Sequence, residues 1–133
     1  MKVTARRRDG YTHDVEISGG HTLVIDEPKG SGGNDEGPSP TRAVAAALAA
    51  CTAITCEMYA ERKGWGLGKV EVEVEVTQDS KSSFVDATVT LRVPESLNEE
   101  QQAKLLLIAG KCPVHRALAG ETQVTVADRI VCG

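Results

Sequence analysis

Four cysteines carry the reactive potential of this sequence: Cys51, Cys56, Cys112 and Cys132. Cys112 stands in the run Lys111-Cys112-Pro113-Val114-His115-Arg116. Proline suits the first residue of a helix, which makes Cys112 the N-cap. A thiol there meets the helix dipole and free backbone N–H groups, and its pKa falls. Lys111, His115 and Arg116 add positive charge, so the setting favours a thiolate. The plainer alternative is a cysteine that merely starts a turn. Cys51 lies midway along an apolar helix, on a face with Val44, Leu48, Thr55 and Met58 by three- and four-residue spacing. Nothing within its own helix lowers its pKa, and it gains chemical interest only if Cys112 docks over it. Cys56 follows five positions later and points some 140° away at about 100° per residue. The two cannot share a local site on one helix, so Cys56 reads as core packing. Cys132, beside the C-terminus, reads as a bystander.

Other chemistries fit these residues less well. Structural zinc usually takes two paired ligand clusters, and Cys112 with His115 has no second pair of matched spacing. Lys29-Gly30-Ser31-Gly32-Gly33 is glycine-rich but lacks the P-loop order and its strand–helix context. Single-strand nucleic-acid binding wants stacked aromatics and a basic groove. The chain has four aromatics in 133 residues (Trp65, Tyr11, Tyr59, Phe84) and a net charge of -4 from 19 acids and 15 bases. Arg6-Arg7-Arg8 reads as a solvated strand whose middle residue faces away from its neighbours, with one of the three able to reach an active site. The N-terminus has basic residues without an apolar run, so no signal peptide is expected. The stretch from Ala43 to Ala50 and onward is mostly alanine, and reads as too short and too weakly apolar to span a bilayer. A cytoplasmic protein is the expectation, and there four cysteines suggest reactive thiols or metal before structural disulfides.

The elements that must position these residues follow from pattern. Lys2 to Arg8, Tyr11 to Ile17 and Thr22 to Asp26 read as strands, with turns at Asp9-Gly10 and Ser18-Gly19-Gly20. Glu27 to Pro40 holds four glycines and three prolines and cannot be regular structure. Ser39 then caps a helix that starts at Pro40, runs to Arg62 and stops before Gly64. Alanine is the best helix former, and this helix lacks a polar face over Ala43 to Ala50, so burial on all sides is expected. Val70, Val72, Val74 and Val76 alternate with Glu71, Glu73 and Glu75, and Val85 to Val93 repeats the period of two, which predicts a hairpin. Ser96 with Glu99 has capping-box spacing for a second helix, whose apolar face is read as Ala103, Leu106, Leu107 and Gly110. A short third helix follows Cys112, and Val124 to Val131 is read as a closing strand. The class is α+β, an antiparallel sheet packed on helices in a single domain over residues 1–133. With so few aromatics the core is built from small aliphatic residues, and a dimer that adds burial is expected.

Three stretches together resemble the OsmC/Ohr-like family, in its small OsmC-like branch. They are Asp26-Glu27-Pro28 with Gly32-Gly33-Asn34-Asp35 and Gly37-Pro38-Ser39-Pro40; the Ala-rich helix holding Cys51, with Tyr59-Ala60-Glu61-Arg62-Lys63-Gly64; and Lys111-Cys112-Pro113-Val114-His115-Arg116-Ala117-Leu118. The resemblance covers nearly the whole chain. It implies an intertwined α+β homodimer with central helices in the middle, and sites at the subunit interface. It implies that Cys51 and Cys112 are a redox pair: the first attacks an organic hydroperoxide, the second resolves the sulfenic acid to a disulfide, and a dithiol reductant resets the pair without a metal or organic cofactor. Sequence-local electrostatics favour the opposite assignment, since the dipole acts on Cys112. Family peroxidases usually carry a glutamate about one turn into the first helix, which orients an activating arginine. Here Thr41 and Arg42 stand there, and Arg6, Arg7 and Arg8 are the N-terminal candidates for that arginine. The rival expectation is a non-catalytic or weakly redox-active member that binds a small apolar ligand at the dimer interface.

Overall fold

A computed structural model describes all residues, 1–133. The chain divides into two compact units, Met1–Ala46 and Ala47–Gly133. The first holds strands β1 (Val3–Asp9), β2 (Thr12–Ile17) and β3 (His21–Ile25) in one antiparallel sheet of that order. Gly10, with φ +53°, turns β1 into β2, and Gly19 and Gly20, both at positive φ, turn β2 into β3. Pairing sets Ala5 opposite Val15 and His13 opposite Ile25. These residues share one sheet face, and together with Tyr11, Glu27 and Pro40 they line an open cavity of about 420 Å³.

The glycine-rich loop that follows contains only a short 3-10 turn, Lys29–Ser31. Its organiser is Asp26, a carboxylate only 1% exposed. The Thr12 hydroxyl donates to it at 2.7 Å, as do the backbone N–H groups of Glu27 (2.7 Å), Glu36 (3.2 Å) and Asn34 (3.4 Å). Burial pushes this carboxyl up, but the four donors outweigh burial and hold it below the usual aspartate range. Gly33 and Gly37 sit where a Cβ would fall 1.9 Å from the Glu27 carbonyl oxygen and 2.1 Å from that of Val24. Close backbone approach, not flexibility, is why those two positions are glycine.

Helix α1 (Pro40–Lys63) begins in the first unit and continues into the second. Its 24 residues span roughly 36 Å. The Ser39 hydroxyl accepts from the Arg42 N–H at 3.4 Å. At the far end Gly64, with φ +71°, supplies the left-handed cap, and the Trp65 N–H returns to the Ala60 carbonyl at 2.9 Å. By length and apolar composition α1 could cross a membrane, contrary to the reading of its alanine run as too short. The expectation of all-round burial is also corrected: only the stripe Leu48, Thr52, Cys56, Ala60 is buried. Ile54 and Met58 are more than half exposed.

In the second unit β4 (Glu71–Gln78) pairs with β5 (Phe84–Arg92), with Val72 opposite Leu91, Val74 opposite Val89 and Val76 opposite Ala87. Helix α2 (Glu99–Ala109) is capped by Asn98 rather than Ser96. Asn98 Oδ1 accepts from Gln101 N at 2.8 Å and the Gln101 side chain accepts from Asn98 N at 2.9 Å, a complete capping box two residues later than the one expected. The buried face of α2 is Leu105, Ile108 and Ala109, while Leu106 and Leu107 are 63% and 65% exposed. The run Leu105 to Ile108 is apolar on every side, and a one-residue rotation separates the two readings. The core settles it: Leu105 and Ala109 pack with Cys56, Ala60, Leu67 and Leu97. Helix α3 (Pro113–Leu118) follows the turn at Cys112. The closing strand is absent. Residues 123–133 form no regular element, and Val124, Val126, Ile130 and Val131 are exposed. A strand needs a partner edge, and these residues find none within the chain.

Candidate redox site

The second unit brings Cys51 and Cys112 together. They are joined as a disulfide across 61 positions of sequence, with Cα atoms 5.9 Å apart, within the usual span of such bridges. The alanine-rich sequence builds the rigid helix that holds Cys51. The α2–α3 turn holds Cys112, through Lys111 N donating to the Ile108 carbonyl at 2.9 Å and Cys112 N to that of Ala109 at 3.2 Å.

Cys112 is the N-cap of α3, with Pro113 in the first turn. Its Sγ accepts from the His115 backbone N–H at 3.5 Å, and its carbonyl accepts from Arg116 N at 3.0 Å. The cap geometry inferred from the Cys-Pro pair is therefore present. The two sulfurs differ in access: Cys112 is fully buried, whereas Cys51 is half-buried. A reagent from solvent reaches Cys51 first. Access and the helix dipole thus single out different sulfurs.

Cys56 is wholly buried, and its thiol donates to the Leu105 carbonyl at 3.7 Å. Burial pushes this thiol up, and Glu57 adds to the shift, so Cys56 is a packing residue poorly suited to nucleophilic work. Cys132 is free and exposed in the C-terminal segment. No group of three or more His, Cys, Asp or Glu side chains is placed to hold a metal ion.

The N-terminal arginines have local partners. Arg6 pairs with Glu16 at 2.6 Å, Arg8 with Asp14, and Arg7 Nε donates to the Gly10 carbonyl at 2.7 Å. All three are exposed on β1, as a solvated strand would have them. Arg42 is exposed, and the Thr41 hydroxyl lies 3.3 Å from that of Ser39. Lys111 and Arg116 are exposed and form no ion pair, which leaves two free cations flanking Cys112 in sequence.

Thr12 carries no signal of its own, and Asp26 shows only within the Asp26-Glu27-Pro28 motif; an aspartate closing a strand before a glycine-rich loop is the signal for its structural role. His115 reads in the sequence as a positive charge near Cys112 and as half of an incomplete zinc pair. Its ring lines a cavity of about 260 Å³ with Leu48, Asp86, Val89 and Leu118.

A two-cysteine α+β protein of this kind has known counterparts. The family model for OsmC-like protein matches residues 32–127. The chain belongs to the OsmC-like family. Among solved structures it is similar to a putative osmotic stress induced and detoxification response protein from Psychrobacter arcticus (TM-score 0.79, 17% identity, 88% of this chain and 87% of that one). It is also similar to an organic hydroperoxide resistance protein OsmC from Legionella pneumophila (TM-score 0.64, 25% identity, 90% of each chain). A third is the organic hydroperoxide resistance protein OhrB of Bacillus subtilis (TM-score 0.58, 28% identity, 90% of each chain). No protein of curated function matches the sequence.

Proposed function

We propose that this protein is a thiol-based peroxidase for organic hydroperoxides, working as one OsmC-like domain in a cytoplasmic homodimer. The observation that carries the reading is the Cys51–Cys112 pair itself: two sulfurs 61 positions apart held at bonding distance, one reachable and one buried. The Cys51 thiolate attacks the distal peroxide oxygen, the O–O bond breaks, and the alkoxide leaves and takes a proton to become the alcohol. Cys51 is then a sulfenic acid. Cys112 attacks its sulfur, forms the disulfide and expels water. A dithiol reductant supplies two electrons to reopen the bond. Sulfur carries the electrons throughout, so no cofactor takes part. Two of the similar structures are named as organic hydroperoxide resistance proteins, which supports this substrate class.

The dimer is supported by apolar surface without a partner in one chain: Ile54 and Met58 on α1, Leu106 and Leu107 on α2, and the alternating Val124-Thr125-Val126 segment. So much exposed aliphatic surface is unusual for a monomer of this size. A second subunit supplies both the strand partner and the missing burial.

The test is hydroperoxide consumption driven by a dithiol. Wild type should turn over, Cys51→Ser should not, and Cys112→Ser should show a single turnover that stalls at an over-oxidisable sulfenic acid. Equal background rates for all three overturn the reading. One observation favours the rival, a non-catalytic or weakly redox-active binder of a small apolar ligand at the dimer interface: Thr41 and Arg42, neither of them a carboxylate, stand where the resemblance puts the arginine-orienting glutamate, and the Thr41 hydroxyl lies 3.3 Å from that of Ser39. Under that reading mild peroxide leaves both thiols unmodified by mass spectrometry, and no Cys51–Cys112 bridge accumulates.

A further inference from the structure

Two buried side-chain polar atoms in the chain lack a hydrogen-bond partner, Thr52 Oγ1 and His115 Nδ1. Both flank the disulfide. Thr52 follows Cys51, and His115 is three residues after Cys112, on the same helix face by i, i+3 geometry. Native proteins satisfy nearly all such atoms, and an orphan calls for a physical account, a bridging water or a role in catalysis among them. Cys112 supplies one. Opening the disulfide puts the electron pair of the S–S bond on a wholly buried sulfur, and a buried anion is costly unless it gains a proton or a partner.

We propose that His115 is the proton carrier of Cys112, giving a proton when the disulfide opens and accepting it when the disulfide closes. The proposal rests on reading Cys51 and Cys112 as a working redox pair. In opening, a reductant thiolate attacks Cys51 Sγ, the reachable sulfur. The S–S bond breaks, its electrons leave on Cys112 Sγ, and the imidazolium of His115 delivers a proton to that sulfur. A second reductant thiol then displaces Cys51 from the mixed disulfide. In closing, the Cys112 proton passes to His115, the sulfur attacks the Cys51 sulfenic acid, and the departing hydroxide takes that proton as water. His115 makes no direct side-chain hydrogen bond to Cys112 Sγ, whose contact with His115 is through the backbone N–H, so the proposed transfer requires one bridging water or a turn of the ring toward the sulfur. Asp86 of β5 is the titratable group that lines the same cavity as His115 from another element; α1 contributes only Leu48 to that cavity, and Arg116 and Lys111 are the nearby cations in sequence.

The experiment is the reduction rate of the oxidised full-length protein by dithiothreitol, sampled by alkylation and mass spectrometry and divided by the reductant's thiolate fraction at each pH. For wild type the corrected rate should fall about tenfold or more as pH rises and the proton donor is depleted. In His115→Gln the profile should be flat and the rate at low pH about tenfold or more below wild type. A flat wild-type profile overturns the proposal without recourse to any variant. So does a His115→Gln or His115→Asn protein that keeps the wild-type slope. No hydroperoxide enters this assay, so a failure to consume hydroperoxide would sink the peroxidase reading and leave the proton carrier standing.

Discussion

Reducing the Cys51–Cys112 bridge should cost the protein about 4 kcal/mol of stability. Cross-linking removes conformations from the unfolded chain, and the entropy removed grows with the logarithm of the loop closed. For the 61-position separation observed, the loop-closure relation gives about 14 cal/mol/K, hence about 4 kcal/mol at 25 °C. The Cα spacing of 5.9 Å requires no rearrangement of α1 or the α2–α3 turn, so little of that gain should be lost to distortion. The assay is urea unfolding at fixed protein concentration, oxidised against reduced. With an m-value of about 1.5 kcal/mol/M, the midpoint should drop by roughly 2–3 M on reduction. Cys51→Ser should unfold at the reduced midpoint whether or not reductant is present. By the thermodynamic cycle, the folded chain holds the bond about 10³ times more tightly than the unfolded one. Equal midpoints for the two redox states would falsify the reasoning, because they would mean that the fold does nothing to bring the sulfurs together.

Other substitutions separate the parts of the structure. Leu105→Ala empties a fully buried position in the six-residue cluster of the second unit and should cost about 2–5 kcal/mol in chemical denaturation; a cost below about 1 kcal/mol would mean that this face of α2 is not the packed one. Gly33→Ala and Gly37→Ala force a Cβ onto carbonyl oxygens and should each destabilise the first unit by more than about 1 kcal/mol, whereas Gly30→Ala, with open space around it, should be nearly neutral. Asp26 has its carboxyl held below the range of an unfolded aspartate. Its contribution is therefore fully present above about pH 4 and is lost as pH falls through the lower folded value. Asp26→Asn should accordingly be less stable than wild type at pH 6, with the gap closing toward pH 2; a pH-independent gap counts against the assignment. Thr52→Val removes the orphaned hydroxyl at constant shape. It should be neutral or mildly stabilising in equilibrium unfolding if that site is dry, and destabilising by about 1 kcal/mol if it anchors a water.

Much of this architecture is visible in local pattern because local physics decides it. The Val-Glu alternation of β4 has only one sensible pleat, and Ser39-Pro40 followed by alanines can only start a helix. Where two local solutions compete, the sequence is silent. Ser96-x-x-Glu99 and Asn98-x-x-Gln101 both fit a capping box, and α2 takes the second. The leucine run in α2 offers two faces one residue apart, and only the packing against Cys56 and Ala60 chooses between them. The failure at Val124 to Val131 is of another kind: alternation marks a segment able to be a strand, but not the chain that carries its partner edge. The pairing of Cys51 with Cys112 is legible only through the family resemblance. No spacing rule links residues 61 positions apart, and the dipole argument draws attention to Cys112 alone. Asp26 shows in the sequence only as part of the Asp26-Glu27-Pro28 motif, because its structural role comes from four donors that converge from separate segments.

The sulfur of Cys112 also holds the first turn of α3, by accepting the His115 backbone N–H. A six-residue helix has little cohesion of its own, so the quality of this one acceptor matters to whether the turn persists. A disulfide sulfur is a feeble acceptor, and a thiolate is a strong one. The electron pair released when the bond opens therefore tightens α3 from its starting end until a proton reaches the sulfur, and closing the bond slackens the same turn. The helix thereby becomes a gauge of the electron count at a wholly buried sulfur, legible in the amide proton of a single residue.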